Sequence, residues 1–355
     1  MTIQESKGAA GPDGEILKVY TLASPNGLAV KVTNYGGIIT SILAPDRDGA
    51  NGEVALGFGS VARYLGPHPY FGAIIGRIAG RLTPPWFEVK GHRYHLAANQ
   101  SPHHLHGGRV GFDRRVWGTA VVPHERGEAL VLSYRSSDGE EGYPGNVEVK
   151  VSYAVSDDNA LSIHYEASTD QETPLSLTNH SYFNLGGPSS DSVTGHQFQI
   201  LADEYTPVGP DFSHTGQRRS VQDLANDFRR PALLSARLGG LFGRHGDNYL
   251  LRRERTAAAA VARVFAPQSG RLMDVQTTAP CLQFYTGVNL DGTVPDRRGG
   301  TYERFAGFCL ECQGYPAAPH FPAFETIMIS PTQRYRQETS YRFGATDSME
   351  MPPLG

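Results

Sequence analysis

The stretch that decides the fold is NVEVKVSYAVSDDNALSIHYEAST, residues 146–169. Its first half alternates apolar with mainly polar residues, and its second half resumes that alternation after Ser-Asp-Asp-Asn at 156–159. The apolar positions are Val147, Val149, Val151, Tyr153, Val155, Leu161, Ile163, Tyr165 and Ala167. A period of two places alternate side chains on opposite faces of a strand. The stretch therefore predicts a β-hairpin with one buried face.

Other segments extend this pattern along the chain. Helical periodicity is scarce, and its best candidate, residues 231–241, is short. The 41 glycines and 24 prolines supply many turns, as short strands require. We expect one all-β domain over residues 1–355, a large antiparallel β-sandwich, with residues 1–14 as a flexible N-terminus. Further strands are predicted at 28–32, 38–43, 129–134, 282–286 and 308–313, with a second hairpin at 87–96 turning at Lys90-Gly91.

Composition excludes several classes of protein. The formal net charge of -4 gives no electrostatic basis for a nucleic-acid or membrane partner. No apolar run approaches the roughly 18 residues of a spanning helix, and the N-terminus shows no signal peptide. The three cysteines, Cys281, Cys309 and Cys312, do not form a disulfide scaffold and fit a reducing compartment. We expect a cytoplasmic protein that is a monomer or a weak homodimer.

Three apolar segments are interrupted by polar or ionisable residues. In each one the alternation places the polar side chains on the face opposite the apolar ones. A sheet with one face on the core and one lined by His, Glu, Gln and Tyr can hold a polyhydroxylated ligand. These polar faces carry Ser176, Thr178, His180 and Tyr182 in 175–185, Gln283 and Tyr285 in 281–286, and Cys309, Glu311 and Gln313 in 308–313.

Each of these residues also has a structural interpretation. Glu311 lies between Leu310 and Cys312, where a carboxylate is costly unless it is paired. It is either half of an ion pair with an arginine or a partly desolvated general base with a raised pKa. For His180 and Gln283, each taken alone, the residue type favours a structural, hydrogen-bonded role.

A histidine cluster raises the question of a metal. His103, His104 and His106 precede Gly107-Gly108, and paired histidines with a distant glutamate resemble the ligand sets of cupin-type sites. No strand or helix spacing aligns all three, so we expect no metal and no cofactor. The C-x-x-C string of Cys309 and Cys312 does not form a redox pair in a strand, because residues three apart face opposite ways.

At these residues the chain resembles the aldose 1-epimerase (galactose mutarotase) family. The resemblance runs through nearly the whole chain, and it rests on eight strings in the family's order, which together are specific. They are NYGG (34–37), YFGAIIGRIAGR (70–81), LHGG (105–108), GFDRRVW (111–117), DGEEGYPG (138–145), NHSYFNL (179–185), QFYTG (283–287) and LECQGYP (310–316).

The resemblance implies a β-supersandwich with a free monosaccharide on its concave face. It implies that Glu311 is the catalytic base and His180 the general acid. It further implies that Arg81, His106 and Gln283 bind the sugar. The expected reaction is interconversion of the α and β anomers of galactose- or glucose-type aldoses by acid–base ring opening and closure.

The chain departs from the family pattern at three places. Gly80 stands where the family often has asparagine, so one sugar hydrogen bond is expected to be missing. The family's aspartate, in a string like D-H-N-Y, aligns with Gly246, and we retain the next residue, Asp247, as a sugar-binding candidate. Ala317 and His320 replace the common Asp and Asn after the Tyr-Pro pair.

Two other kinds of protein remain compatible with the sequence. A sugar-binding sandwich without catalysis would bind a sugar but not accelerate its anomerisation. A glycoside-processing enzyme usually needs two carboxylates flanking the scissile bond, and the sequence offers no second acid in a comparable motif.

Overall fold

The computed structural model describes residues 2–125, 127–241, 246–252 and 259–354. Almost all of its regular structure is β-strand. The strands are β1 (Thr2–Ala10), β2 (Ile16–Ala23), β3 (Ala29–Thr33), β4 (Ile39–Pro45), β5 (Asn51–Glu53), β6 (Ile74–Ile75), β7 (Arg81–Leu82), β8 (Trp86–Val89), β9 (His92–His95), β10 (His104–Leu105), β11 (Gly118–His124), β12 (Gly127–Ser136), β13 (Val147–Val155), β14 (Ala160–Thr169), β15 (Thr173–Pro174), β16 (Thr178–Asn179), β17 (Gln197–Ile200), β18 (Glu204–Thr206), β19 (Arg219–Ser220), β20 (Ala232–Leu233), β21 (Asp247–Leu250), β22 (Ala260–Phe265), β23 (Arg271–Thr277), β24 (Cys281–Tyr285), β25 (Cys309–Gln313), β26 (Met328–Ile329) and β27 (Tyr335–Ala345).

Among the described residues, helical structure is limited to short segments of three to five residues. None of the helices in the described part of the chain has the length and apolar character needed to cross a membrane. They are 3₁₀ turns at Val61–Leu65, Phe112–Arg114, Glu140–Gly142, Gly187–Ser189, Leu234–Ala236 and Ala318–His320, and the α-helix α1 (Leu238–Leu241).

The predicted hairpin at 146–169 is confirmed and forms part of a nine-stranded antiparallel sheet. β13 and β14 pair from Val147↔Thr169 to Val155↔Leu161. Val147, Val149, Val151 and Tyr153 are buried, whereas Glu148 and Lys150 are exposed, as the alternation predicts. The sheet has the order β11-β12-β13-β14-β27-β23-β22-β17-β20, so the last strand in the chain lies in its middle.

A five-stranded antiparallel sheet, β19-β18-β21-β24-β25, packs over this one. The main core lies between the two sheets: Val151 and Tyr341 come from the larger sheet, and Leu282, Phe284 and Leu310 from the smaller. β27 also braces β25 directly. The Tyr341 hydroxyl donates to the carbonyl of Leu310 at 3.1 Å, and Gln337 Nε2 donates to that of Cys312 at 3.0 Å. The expected antiparallel sandwich is therefore observed.

The expected flexible N-terminus is wrong for most of its length. β1 pairs with β2 from Thr2↔Ala23 to Ala10↔Ile16, at the edge of a sheet ordered β1-β2-β3-β4-β5. The polar side chains of β1 are mostly exposed, so the strand shows no buried face in its sequence. Its backbone groups nevertheless find ladder partners on β2, which the side-chain pattern does not reveal.

The other strand predictions fare unevenly. The segments at 28–32, 38–43, 129–134, 282–286 and 308–313 are confirmed as β3, β4, β12, β24 and β25, and the hairpin at 87–96 as β8 and β9. The helix expected at 231–241 is reduced to a 3₁₀ turn and α1.

The segment 175–185 is not one strand. Its backbone bonds go to several different partners, because Leu175 N–H donates to Ile327, Ser176 N–H to Arg77, and His180 N–H to Ala73.

Candidate active site

A cleft of about 200 Å³ lies on the face of β24 and β25 that points away from the main core. Opposite residues in the β24–β25 ladder share a face. The ladder therefore presents three rows to this side: Tyr285 with Cys309, Gln283 with Glu311, and Cys281 with Gln313. Irregular segments supply the walls. The cleft is lined by Pro69, Tyr70, Gly80, Arg81, Gln100, Leu105, His106, His180, Tyr182, Val208, Phe212, His214, Gly246, Gln283, Tyr285, Asn289, Glu311, Gln313 and Pro316.

Glu311 and His180 meet at the centre of this cleft. Glu311 Oε2 lies 3.6 Å from His180 Nε2, and both side chains are buried. Oε2 of Glu311 has no hydrogen-bond partner in the described part of the protein. Among the described residues the ion-pair partner of Glu311 is His180. The arginine ion pair, which was the structural alternative for this glutamate, is not observed there.

Burial perturbs the pKa of both groups in opposite directions. Loss of solvent raises the pKa of the Glu311 carboxyl to about 8, although the cation of Arg81 opposes the change. The pKa of the His180 imidazole is lowered to about 4, mainly by loss of solvent; a backbone hydrogen bond opposes the change, and the charges of His68 and Arg81 contribute to it. Between these values the pair holds a single proton. Such perturbed groups facing a cleft are typical of acid–base catalysts.

The His180 ring is held in place by its neighbours. It stacks on Tyr182 with ring centroids 5.1 Å apart and on Tyr70 at 5.8 Å. Its Nδ1 lies 3.7 Å from the Sγ of Cys309, which leaves Nε2 directed at Glu311. These contacts restrict the ring without consuming the nitrogen that faces the carboxylate.

Of the three clustered histidines, His106 alone lines the cleft. His104 is buried between the carbonyl of Ala97 and the hydroxyl of Tyr143, and His103 bonds to Thr83. The backbone N–H of Gly80 donates to His106 Nδ1 at 3.1 Å. Because Nδ1 accepts this bond, a neutral His106 carries its proton on Nε2. Burial holds the pKa of His106 well below its ordinary value, so the ring is neutral.

His106, His180 and Glu311 could together suggest a metal site, since one donor atom of each lies within 4.8 Å of the others. A ligating histidine normally binds the metal through one nitrogen and donates a hydrogen bond from the other. His106 has the reverse arrangement, since its Nδ1 accepts a hydrogen bond from Gly80. Its Nε2 is then a hydrogen-bond donor to a ligand oxygen, and the set does not fit a metal centre.

Arg81 and Gln283 also line the cleft. Arg81 Nε donates to Gln100 Oε1 at 2.7 Å, and its guanidinium lies 5.8 Å from the ring centroid of Phe212. Gln283 is half-buried and lies directly across the ladder from Glu311. The cleft therefore presents a cation and an amide close to the carboxylate.

Asp247 does not line the cleft, contrary to our expectation for it. In the ladder Asp247 lies opposite Phe284, whose side chain packs in the main core, whereas Asn248 lies opposite Gln283. The cleft is lined instead by Gly246, which has φ +82°. A Cβ there would lie 1.9 Å from the carbonyl oxygen of Phe284, so this backbone accepts only glycine. The residue before it in the aligned string, His245, lies outside the described residues.

Of the other departures from the family pattern, Gly80 lies at the cleft, whereas Ala317 and His320 do not. Gly80 has φ +80°, and a Cβ there would lie 2.5 Å from Pro316 Cγ and 3.3 Å from Gln313 Nε2. The space beside Gly80 is thus already occupied. Ala317 and His320 do not line the cleft, and His320 packs on Trp86 with ring centroids 4.8 Å apart.

Several cleft residues were not singled out by sequence reasoning. Tyr70, Gln100, Phe212 and His214 come from irregular segments, whose side-chain direction has no sequence period. The position of Gln313 in the cleft could have been predicted, because the strand alternation places it on the same face as Glu311.

A β-sandwich with a buried carboxylate–imidazole pair in a polar cleft defines an acid–base enzyme acting on a small polyhydroxylated ligand. Comparisons with known proteins specify the class. A family model described as Aldose 1-epimerase matches residues 18–342. Galactose mutarotase from Homo sapiens is 40% identical over 316 residues, covering 89% of this chain and 91% of the relative. Aldose 1-epimerase from Escherichia coli (strain K12) is 34% identical over 343 residues, covering 94% and 97% respectively.

Solved structures of aldose epimerases resemble this chain in fold. A galactose mutarotase/aldose epimerase homologue from C. elegans has a TM-score of 0.84 at 29% identity, covering 92% of this chain and 98% of that one. A galactose 1-epimerase from Lactobacillus acidophilus also has a TM-score of 0.84, at 26% identity and coverage of 97% and 99%. The chain belongs to the aldose 1-epimerase family, whose activity is the interconversion of the anomers of aldoses.

Proposed function

We propose that the chain interconverts the α and β anomers of a free aldose, with Glu311 as the base at O1 and His180 as the acid at O5. The observation that carries these roles is the buried Glu311–His180 pair, 3.6 Å apart, whose pKa values are shifted in opposite directions by burial. A base and an acid on either side of the anomeric carbon are sufficient for mutarotation, each contributing about 10²–10⁴-fold.

Ring opening starts from the arrangement in which His180 holds the proton. Glu311 takes the proton of the anomeric hydroxyl, the electron pair forms the C1=O1 double bond, and the C1–O5 bond breaks. His180 delivers its proton to O5. Glu311 then holds the proton taken from the sugar and His180 is neutral, which is the arrangement favoured by burial. Rotation about C1–C2 presents the other face of the aldehyde, and closure reverses both transfers.

Three neighbouring groups would hold the sugar during this cycle. His106, with Nε2 as a donor, and Arg81 supply hydrogen bonds to the reacting end, where negative charge develops on oxygen. Gln283 offers an amide beside Glu311. Neither a metal nor a cofactor enters these steps.

The substrate we propose is a free monosaccharide of the galactose or glucose type, since the relatives named above are a galactose mutarotase and aldose 1-epimerases. The three buried thiols support a cytoplasmic location. We further propose a single domain over residues 1–355, acting as a monomer or a weak homodimer without a nucleic-acid or membrane partner.

Glycoside hydrolysis is the second candidate, and the cleft argues against it. That reaction generally uses two carboxylates on either side of the bond. Glu311 is the one carboxylate lining the cleft among the described residues. A protein that binds sugar without catalysis is also disfavoured, since it has no use for a buried acid–base pair with shifted pKa values.

The test is polarimetry of freshly dissolved α-D-galactose and α-D-glucose, with and without enzyme, in buffer containing a chelator. Faster decay to the same equilibrium rotation is the expected result. Glu311→Gln and His180→Asn should each lose about 10²-fold or more in turnover while remaining folded.

The chain offers a matched control for these variants. His164 Nε2 and Glu338 Oε1 are also 3.6 Å apart, but their side chains are about one-third exposed and lie outside the cleft. Glu338→Gln and His164→Asn should therefore keep normal turnover. Near-normal turnover in Glu311→Gln or His180→Asn would remove that residue from the mechanism. Absence of acceleration with any aldose would favour the binding protein, and release of reducing ends from an oligosaccharide would favour the hydrolase.

A further inference from the structure

Gln313 is a buried amide whose hydrogen bonds are not accounted for by the protein. Its side chain is 1% exposed, and it lines the cleft. Neither Nε2 nor Oε1 has a hydrogen-bond partner within the described parts of the chain. Leaving a buried donor and a buried acceptor unsatisfied is costly, about 1–3 kcal/mol for each group. Such a residue at the wall of a binding cleft indicates a ligand that supplies both partners.

A second buried glutamine shows how the same side chain is satisfied elsewhere in this protein. Gln337 Nε2 donates to the carbonyls of Leu177 at 3.2 Å and Cys312 at 3.0 Å, and its Oε1 accepts from the Tyr335 hydroxyl at 2.7 Å. Gln337 is thus a structural amide. Gln313, the residue after Cys312 on β25, is also buried but has none of these bonds.

The position of Gln313 along β25 indicates which part of the sugar it faces. Cys309, Glu311 and Gln313 share one face of the strand, with successive side chains about 7 Å apart. His180 contacts both Cys309 and Glu311, so it lies on the Cys309 side of the carboxylate. Gln313 therefore lies on the side of Glu311 away from His180.

The oxygens of an aldopyranose follow the same order. Moving around the ring from O5, the next oxygen is O1 on C1, followed by the hydroxyls on C2 and C3. With O5 at His180 and O1 at Glu311, the direction toward Gln313 is the direction of the C2 and C3 hydroxyls. A vicinal pair of hydroxyls can donate to Oε1 and accept from Nε2 at the same time.

We propose that Gln313 is a sugar-positioning residue that binds the C2–C3 hydroxyl edge of the aldose and thereby sets specificity at C2. The assignment rests on the proposed roles of Glu311 and His180, because they orient the ring. It predicts that the enzyme distinguishes glucose from 2-deoxyglucose through this amide, whereas Gln313 has no part in distinguishing glucose from its C4 epimer galactose.

The test compares Gln313→Leu with the unsubstituted enzyme on glucose, galactose and 2-deoxyglucose, each corrected for its spontaneous rate. The kcat/KM for glucose and for galactose should fall together by about tenfold or more. The loss on 2-deoxyglucose should be at least several times smaller. Gln337→Leu is the matched control, and it should lower the Tm while keeping the glucose to 2-deoxyglucose ratio of the folded enzyme. Gln313→Leu should keep or raise the Tm, because it removes two buried polar atoms that have no hydrogen-bond partner within the described parts of the chain.

Two outcomes would overturn the proposal. Gln313→Leu could keep full kcat/KM on glucose, or it could lose the same factor on all three sugars, as a general structural defect would. Failure of the acid–base assignment is distinguishable, because it would appear as turnover retained by Glu311→Gln whatever the result at position 313.

Discussion

The opposite pKa shifts of Glu311 and His180 predict how the activity depends on pH. The mechanism needs one proton on the pair, and either arrangement of it lies on the reaction path. That proton is lost as pH rises through the pKa of Glu311, about 8. A second proton is gained as pH falls through the pKa of His180, about 4. The profile of kcat/KM against pH should therefore be bell-shaped with a broad plateau.

The alkaline limb is the decisive part. With a pKa of about 8, roughly nine-tenths of the enzyme holds the proton at pH 7, and about one-tenth holds it at pH 9. We expect kcat/KM to fall about tenfold between these values. The assay is the initial rate of α-D-glucose mutarotation by polarimetry, with the spontaneous rate subtracted at each pH because base also catalyses the reaction.

Substitution of Arg81 should shift the pKa of Glu311 in a known direction. Its cation lowers the pKa of Glu311 against the larger effect of burial, so Arg81→Leu should move the alkaline limb to higher pH. The variant will also bind sugar less well, but the pH at which kcat/KM falls reports the pKa of Glu311 alone. A rate that still rises from pH 8 to 9, or a limb moved to lower pH in Arg81→Leu, would refute the shared-proton account.

Three further predictions concern the surroundings of the pair. Gly80→Ala should cost about 1–3 kcal/mol of stability, measured by denaturant unfolding, because φ is +80° and the new Cβ meets Pro316; an unchanged midpoint would contradict this. Cys309→Ala should lower kcat severalfold with little change in KM, since it removes the sulfur 3.7 Å from His180 Nδ1; a change in KM alone would argue against that role. Dialysis against a chelator should leave turnover unchanged, because His106 presents a donor to the cleft; activity restored only by added metal would show the opposite.

The parts of the fold that follow a period of two could be predicted from the sequence. In β13, β14, β24 and β25 the alternation identifies the buried face, and the buried face fixes the register. Glu311 and Gln283 were assigned to the polar face for this reason, and the structure places them opposite each other. β1 escaped prediction because neither of its faces is buried by apolar side chains.

The walls of the cleft could not be predicted in the same way. Tyr70 and Phe212 reach it from irregular segments with positive φ values, 60° and 64°, which no periodic pattern encodes. The position of Asp247 outside the cleft lining was unpredictable for a related reason. A displacement of one residue moves a side chain to the other face of a strand, and the sequence alone does not show which of Gly246 and Asp247 faces the cleft.

The central place of β27 in the nine-stranded sheet has a consequence for biosynthesis. Synthesis proceeds from the N-terminus, so β14 and β23 emerge before the strand that joins them. Until β27 is made, both present open hydrogen-bonding edges to the surroundings, which are sites of mispairing between nascent chains. β25 lacks its braces from Tyr341 and Gln337 over the same interval. Catalytic competence is thus acquired after translation of β27, and a chain released before residue 335 would be both inactive and prone to aggregate.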